Sequence, residues 1–135
     1  MRRFNLPLPV HKLSLTTTQL KKMLNSSNPF KISLHPNGSP IVIDECCSSL
    51  KLTVALLKAG FAVEFLGKKK LDSKIIEYLS RPENSEKILI TYDVELDSRL
   101  PYHQCILLTS GKSASEHIHV IKKVTETTMT QVALC

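Results

Sequence analysis

Two short apolar runs constrain this chain more than any other feature. Ile41-Val42-Ile43 stops on Asp44-Glu45, and Ile88-Leu89-Ile90-Thr91-Tyr92 stops on Asp93. Unbroken apolar runs of this length suit strands buried on both faces, as in a parallel sheet covered by helices. Parallel neighbours end at the same edge, so Asp44 and Asp93 are expected to emerge close together. Two carboxylates about 4 Å apart repel by roughly 4 kcal/mol at an effective dielectric of ~20. A divalent cation turns that repulsion into a binding site.

Between the two runs the pattern is strand, helix, strand, helix. Ser48 or Ser49 can cap a helix of Leu50, Leu52, Val54, Ala55, Leu56, Leu57 and Ala59, with Gly60 as its stop. Phe61 to Leu66 reads as a strand. Gly67-Lys68-Lys69-Lys70 is a basic loop, and Asp72 stands where it would cap a helix carrying Ile75, Ile76 and Leu79 and ending near Pro82. Gln104 to Thr109 gives a fourth strand of the unit. Asp93, Glu95 and Asp97 alternate through what reads as a loop. Ser113 and Glu116 have capping-box spacing before a helix with Ile118, Ile121 and Val124, and Met129 to Leu134 has the character of a short last strand.

Residues 1–40 read as an N-terminal extension and residues 41–135 as one α/β domain. Residues 1–12 resemble an extended arm. Thr16 and Gln19 form a capping box ahead of Leu20, Met23 and Leu24. Phe30 to Leu34 suits a strand, and His35-Pro36-Asn37-Gly38-Ser39-Pro40 is a turn that would join it to Ile41.

At 135 residues the chain can bury a core. It holds no apolar run near the ~18 residues of a membrane span. Pro7, Pro9 and His11 interrupt the segment after the basic Arg2-Arg3, so no signal peptide is expected. Cys46, Cys47, Cys105 and Cys135 make no CxxC pair, and a reduced cytoplasmic setting with structural cysteines is the expectation. The net charge of +6 is gathered in Arg2-Arg3, Lys21-Lys22, Lys68-Lys69-Lys70 and Lys122-Lys123. Such a surface suits phosphates, although a simply solvated face reads the same way.

The residues around the two runs resemble the small PIN-like proteins, compact relatives of the VapC-type toxin ribonucleases. The resemblance runs from Asp44 to Leu108. It is carried by Asp44-Glu45 after a strand, Leu56 to Gly60, Asp72 ahead of Ile75-Ile76, and Thr91-Tyr92-Asp93-Val94-Glu95-Leu96. It implies a three-layer α/β sandwich with a mainly parallel central sheet of four or five strands. It implies cleavage of RNA with Mg²⁺ or Mn²⁺, by the toxin of a toxin–antitoxin pair or a related enzyme, with an antitoxin or a homodimer as possible assemblies. By position it implies Asp44, Asp72 and Asp93 as the catalytic and metal carboxylates and Glu95 as a fourth; Glu45 and Asp97 beside them are possible additions, and the charge of the basic loop suits Lys68, Lys69 and Lys70 to RNA contacts. Glu95 and Leu96 depart from the family's Asp and Phe, so a catalytically degenerate protein that binds RNA or a protein partner is the alternative reading. A receiver-like signalling module is a third: paired acids after a first strand and an acid after the third fit it. Too few residues lie beyond Lys112 for its remaining strand and helix.

Other signals are weaker. Ser110-Gly111-Lys112-Ser113 ends like a phosphate-binding loop, but Ile106 stands where the first glycine is required. His117 and His119 face different sides of a helix and make no zinc site by themselves. Tyr92 and Tyr102 flank the acidic stretch in sequence and would suit base stacking or plain packing.

Overall fold

A computed structural model describes residues 16–134, with side chains as far as Glu126. The arm expected over residues 1–12 lies outside the described residues. The strands are Phe30–Ile32 (β1), Pro40–Ile43 (β2), Ala62–Phe65 (β3), Ile88–Thr91 (β4) and Cys105–Leu107 (β5). They form one sheet in the order β1-β3-β2-β4-β5, parallel from β2 to β5 and antiparallel between β1 and β3. The helices are Thr17–Leu24 (α1), Leu50–Lys58 (α2), Asp72–Ser80 (α3), Val94–Ser98 (α4) and Ala114–Leu134 (α5). The chain is thus α/β, with a mostly parallel five-stranded sheet.

Helices cover both faces. Ile41, Ile43, Val63, Phe65, Ile90 and Ile106 pack with Leu20 and Leu24 of α1, Leu52, Leu56 and Leu57 of α2, and Ile121 of α5. Val42, Leu89 and Cys105 point the other way, against Ile75 and Leu79 of α3 and Leu96 and Leu100 around α4. Neighbouring residues of one strand therefore serve opposite layers, which is why the runs read as apolar throughout. The crossovers β2-α2-β3 and β3-α3-β4 travel in opposite directions and carry their helices on opposite faces, as crossovers of one hand must.

The helix ends obey local chemistry. Thr16 and Gln19 form the expected reciprocal capping box, and the Ser49 side chain accepts the Leu52 N–H. At the end of α2, Gly60 takes φ 98°, its N–H bonds the Leu57 carbonyl, and the Phe61 N–H bonds that of Leu56. That paired bonding is a Schellman stop, which a glycine enters without the Cβ clash other residues meet. Ser113 and Glu116 cap α5 reciprocally.

His35 to Pro40 joins β1 to β2 as expected, but the two strands do not pair: β1 lies against β3, because both edges of β2 are taken by β3 and β4. Three expectations are corrected. Met129 to Leu134 is no strand, since α5 continues to Leu134. The acidic stretch after Asp93 is helical, as α4. Asp72 does not cap α3: Leu71 is the cap residue, without a side-chain cap bond, and Asp72 is the first helical residue.

Candidate functional site at the carboxyl edge of the sheet

From β2 the chain moves to β3 on one side, then returns through α3 to β4 on the other side. The sheet therefore reverses its order between β2 and β4. Loops leaving those two strands diverge, and the crevice outside such a switch point is where α/β sheets hold ligands. Asp44 comes directly after β2, and Asp93 lies two residues beyond β4.

One buried hydroxyl joins the two acids. Thr91, fully buried at the end of β4, donates its O–H to Asp44 Oδ2 at 2.6 Å and accepts the Asp93 N–H at 3.0 Å. Asp44 Oδ1 accepts the Glu45 N–H at 2.9 Å, and the Cys46 thiol donates to Oδ2 at 3.2 Å. Asp93 caps α4, its Oδ1 accepting the N–H groups of Glu95 at 2.9 Å and Leu96 at 3.3 Å. Among the described residues Asp93 Oδ2 accepts no hydrogen bond.

Asp72 comes from the far side of the crevice, at the start of α3. Burial, then the charges of Asp93 and Asp44, push its carboxyl above the ordinary 3.8; Arg99 opposes the shift and Glu95 adds to it. The fold therefore brings Asp44, Asp72 and Asp93 within electrostatic reach, with Glu95 exposed on the first turn of α4 behind them. Among the described residues no three His, Cys, Asp or Glu side chains close on a point where they would cage an ion.

Glu45 and Asp97 have other occupations. Glu45 Oε1 accepts the Lys69 N–H at 2.7 Å and so holds the basic loop. Asp97 meets the Cys105 thiol at the start of β5, and burial together with that contact pushes the thiol up to about 12. An acid turned toward the start of β5 faces away from the carboxyl edge. Tyr102 also precedes β5 and is 89% exposed at the amino edge, so it does not flank the acids in space. Tyr92 packs against the His117 ring, 5.6 Å away between centroids.

Cys46 stands apart from the buried Cys47 and Cys105. It is exposed, with its sulfur against Asp44, accepting the Tyr92 N–H at 3.4 Å. Burial is the main cause raising its thiol. Thr91 went unremarked in the sequence as a site residue. Its sequence signals are a polar residue closing an otherwise apolar strand and its place at the head of the Thr91-to-Leu96 stretch.

Asp44, Glu45, Gly67, Lys70 and Ile75 line a crevice of about 10 Å³, room for roughly one water. A larger hollow of about 460 Å³ lies between the end of β5 and the first turns of α5, bordered by Leu107, Lys112, Glu116 and His119. None of the paired acids lines it. Among the described residues no helix is long and apolar enough to cross a membrane. Comparison with family models, curated proteins and solved structures finds no match to this chain.

Proposed function

We propose that this chain is a PIN-like endoribonuclease that hydrolyses RNA phosphodiesters with Mg²⁺ or Mn²⁺ at Asp44, Asp72 and Asp93. One observation carries the reading: the Thr91 hydroxyl bonds Asp44 and the Asp93 backbone at once, at the switch point of a parallel sheet. The shared hydroxyl fixes Asp44 beside the start of α4, where Asp93 caps the helix through Oδ1 and its Oδ2 accepts no hydrogen bond from a described residue.

The donor set fits a hard cation, since every candidate ligand is a carboxylate oxygen. The carboxylates do not close into a cage, so an ion would rest on one or two of them and keep water ligands, the habit of Mg²⁺. Bound there, it would activate a water and stabilise the leaving oxygen. The chain's own part is positional. Thr91 and the Glu45 N–H orient Asp44, and the first turn of α4 orients Asp93 while leaving its second oxygen for a ligand.

A second reading, a PIN-like protein that binds RNA or a protein partner without cutting, is favoured by one detail. Both oxygens of Asp44 already accept internal hydrogen bonds. The deciding experiment is cleavage of single-stranded and structured RNA with Mg²⁺ or Mn²⁺, and with chelator, by wild type, Asp44→Asn and Asp93→Asn. Metal-dependent cutting that both substitutions abolish supports the nuclease. Folded wild type that cuts nothing in the presence of metal leaves the binding reading.

A further inference from the structure

The extension before β2 is packed where it can act on the site. The Lys68 N–H bonds the Ser26 carbonyl at 3.0 Å, just beyond the end of α1. Gly67, at φ 104°, lies so close to this segment that a Cβ there would stand 2.2 Å from the Ser27 carbonyl oxygen. On its other side the loop is held by Glu45, whose carboxylate accepts the Lys69 N–H at 2.7 Å, with Lys69 itself at φ 61°. The loop is therefore braced from the extension on one side and from the residue after Asp44 on the other.

This bracing has an electrostatic result. Lys21 and Lys22, in the last turn of α1, stand a few residues before Ser26, and Lys68, Lys69 and Lys70 come directly after Gly67. The Lys68–Ser26 bond thus ties the segment that follows the α1 lysines to the basic loop, across more than forty residues of sequence. Lys21, Lys22, Lys69 and Lys70 are exposed and Lys68 is half-buried. None is in an ion pair with a described residue. Lys70 also lines the crevice beside Asp44. The loop's N–H groups at Lys68 and Lys69 are already used, so anions here would be met by ammonium groups.

We propose that these five lysines form one phosphate-binding track for single-stranded RNA, leading to the acidic crevice, and that the α1–β1 extension serves to hold it in place. The choice of RNA rests on the nuclease reading; the track itself does not. Lysines on short, fixed backbone present charge to a flexible phosphate chain at several points. The crevice beside Asp44 has room for about one water, so a strand would lie across its mouth.

The test is affinity for a fluorescein-labelled single-stranded RNA, measured in chelator between 50 and 200 mM salt, so that no cutting occurs. Each phosphate neutralised on a single strand contributes about 0.7 to the slope of log K against log salt, so five give about 3.5, or roughly a hundredfold loss over that range. Lys68→Ala/Lys69→Ala/Lys70→Ala should leave a slope of about 1.4 and Lys21→Ala/Lys22→Ala about 2.1, with unfolding unchanged. Gly67→Ala should weaken binding without removing a charge, by displacing the loop from Ser27. Should that variant not fold, the two surface sets still decide the matter. Unchanged slopes in both lysine sets would overturn the track, as would equal loss for duplex RNA or tighter binding to anionic vesicles than to RNA. Asp44→Asn and Asp93→Asn should bind as wild type or better. If those two lose cleavage while the lysine sets bind normally, the nuclease stands and the track falls; the reverse pattern keeps the track and removes the nuclease.

Discussion

Replacing Thr91 with valine keeps the shape of the side chain and removes only the hydroxyl that links the two acids. The lost bond to Asp44 is charge-assisted, and such bonds contribute about 1.5–3 kcal/mol. The Asp93 N–H loses its acceptor as well, for about 1 kcal/mol more at an edge that water reaches in part. Thr91 itself is fully buried, so no water replaces its hydroxyl from within. The expected cost is about 2–4 kcal/mol, a fall in Tm on the order of 10 °C for a chain of this size. Urea unfolding monitored by circular dichroism should show a lower midpoint with an unchanged m value. Thr91→Ser keeps the hydroxyl and should lose only about 1 kcal/mol, from its missing methyl. A double-mutant cycle with Asp44→Asn should give a coupling of at least about 0.5 kcal/mol, as for groups in direct contact. A valine variant as stable as wild type, or a coupling of zero, would refute the view that Thr91 is the joint of the site.

Three further outcomes are expected. Asp72 has a raised carboxyl pKa, so its ionised form is disfavoured in the fold. Below its unfolded value both states are protonated and nothing is lost, while above its folded value the penalty is complete, so Asp72→Asn should gain stability relative to wild type as pH rises from about 3 to neutrality. Unfolding curves across that range check the sign, and a gain that shrinks with rising pH contradicts it. In a Cys135→Ser background only Cys46 should react with a thiol reagent in the folded protein, because it is exposed while Cys47 and Cys105 are buried; mass spectrometry showing all three labelled at one rate would contradict this. Leu96→Ala should cost about 2–5 kcal/mol, since the side chain is fully buried beneath α4, whereas exposed Glu95→Ala should stay within about 0.5 kcal/mol. Equal effects would mean that α4 is not packed as described.

Much of the fold was legible because its signals are local. The apolar runs of β2 and β4, the capping boxes at Thr16 and Ser113, and Gly60 after α2 each state their role within a few residues. The acids were legible as strand-end residues for the same reason. What misled was also local. Asp72 stands one residue too late to cap, and alternating acids after Asp93 resemble a loop although Leu96 supplies a buried anchor for a helical turn. Met129 to Leu134 has strand-like composition, but a helix already running from Ala114 continues through it, since adding a residue to a formed helix costs far less than nucleating a new element.

The amino-acid sequence by itself determined that this is an α/β chain, which strands are doubly buried, and that acids end two of them. Only the tertiary structure decided the partners: that β1 pairs with β3 rather than β2, that Thr91 bridges Asp44 and Asp93, that Glu45 holds a loop and Asp97 turns toward Cys105. It also decided that the basic loop at Lys68 is tied to Ser26, just beyond α1. Periodicity and capping depend on neighbours a few residues away, whereas a hydrogen bond across 47 residues or a shared field exists only once the sheet order places its groups side by side.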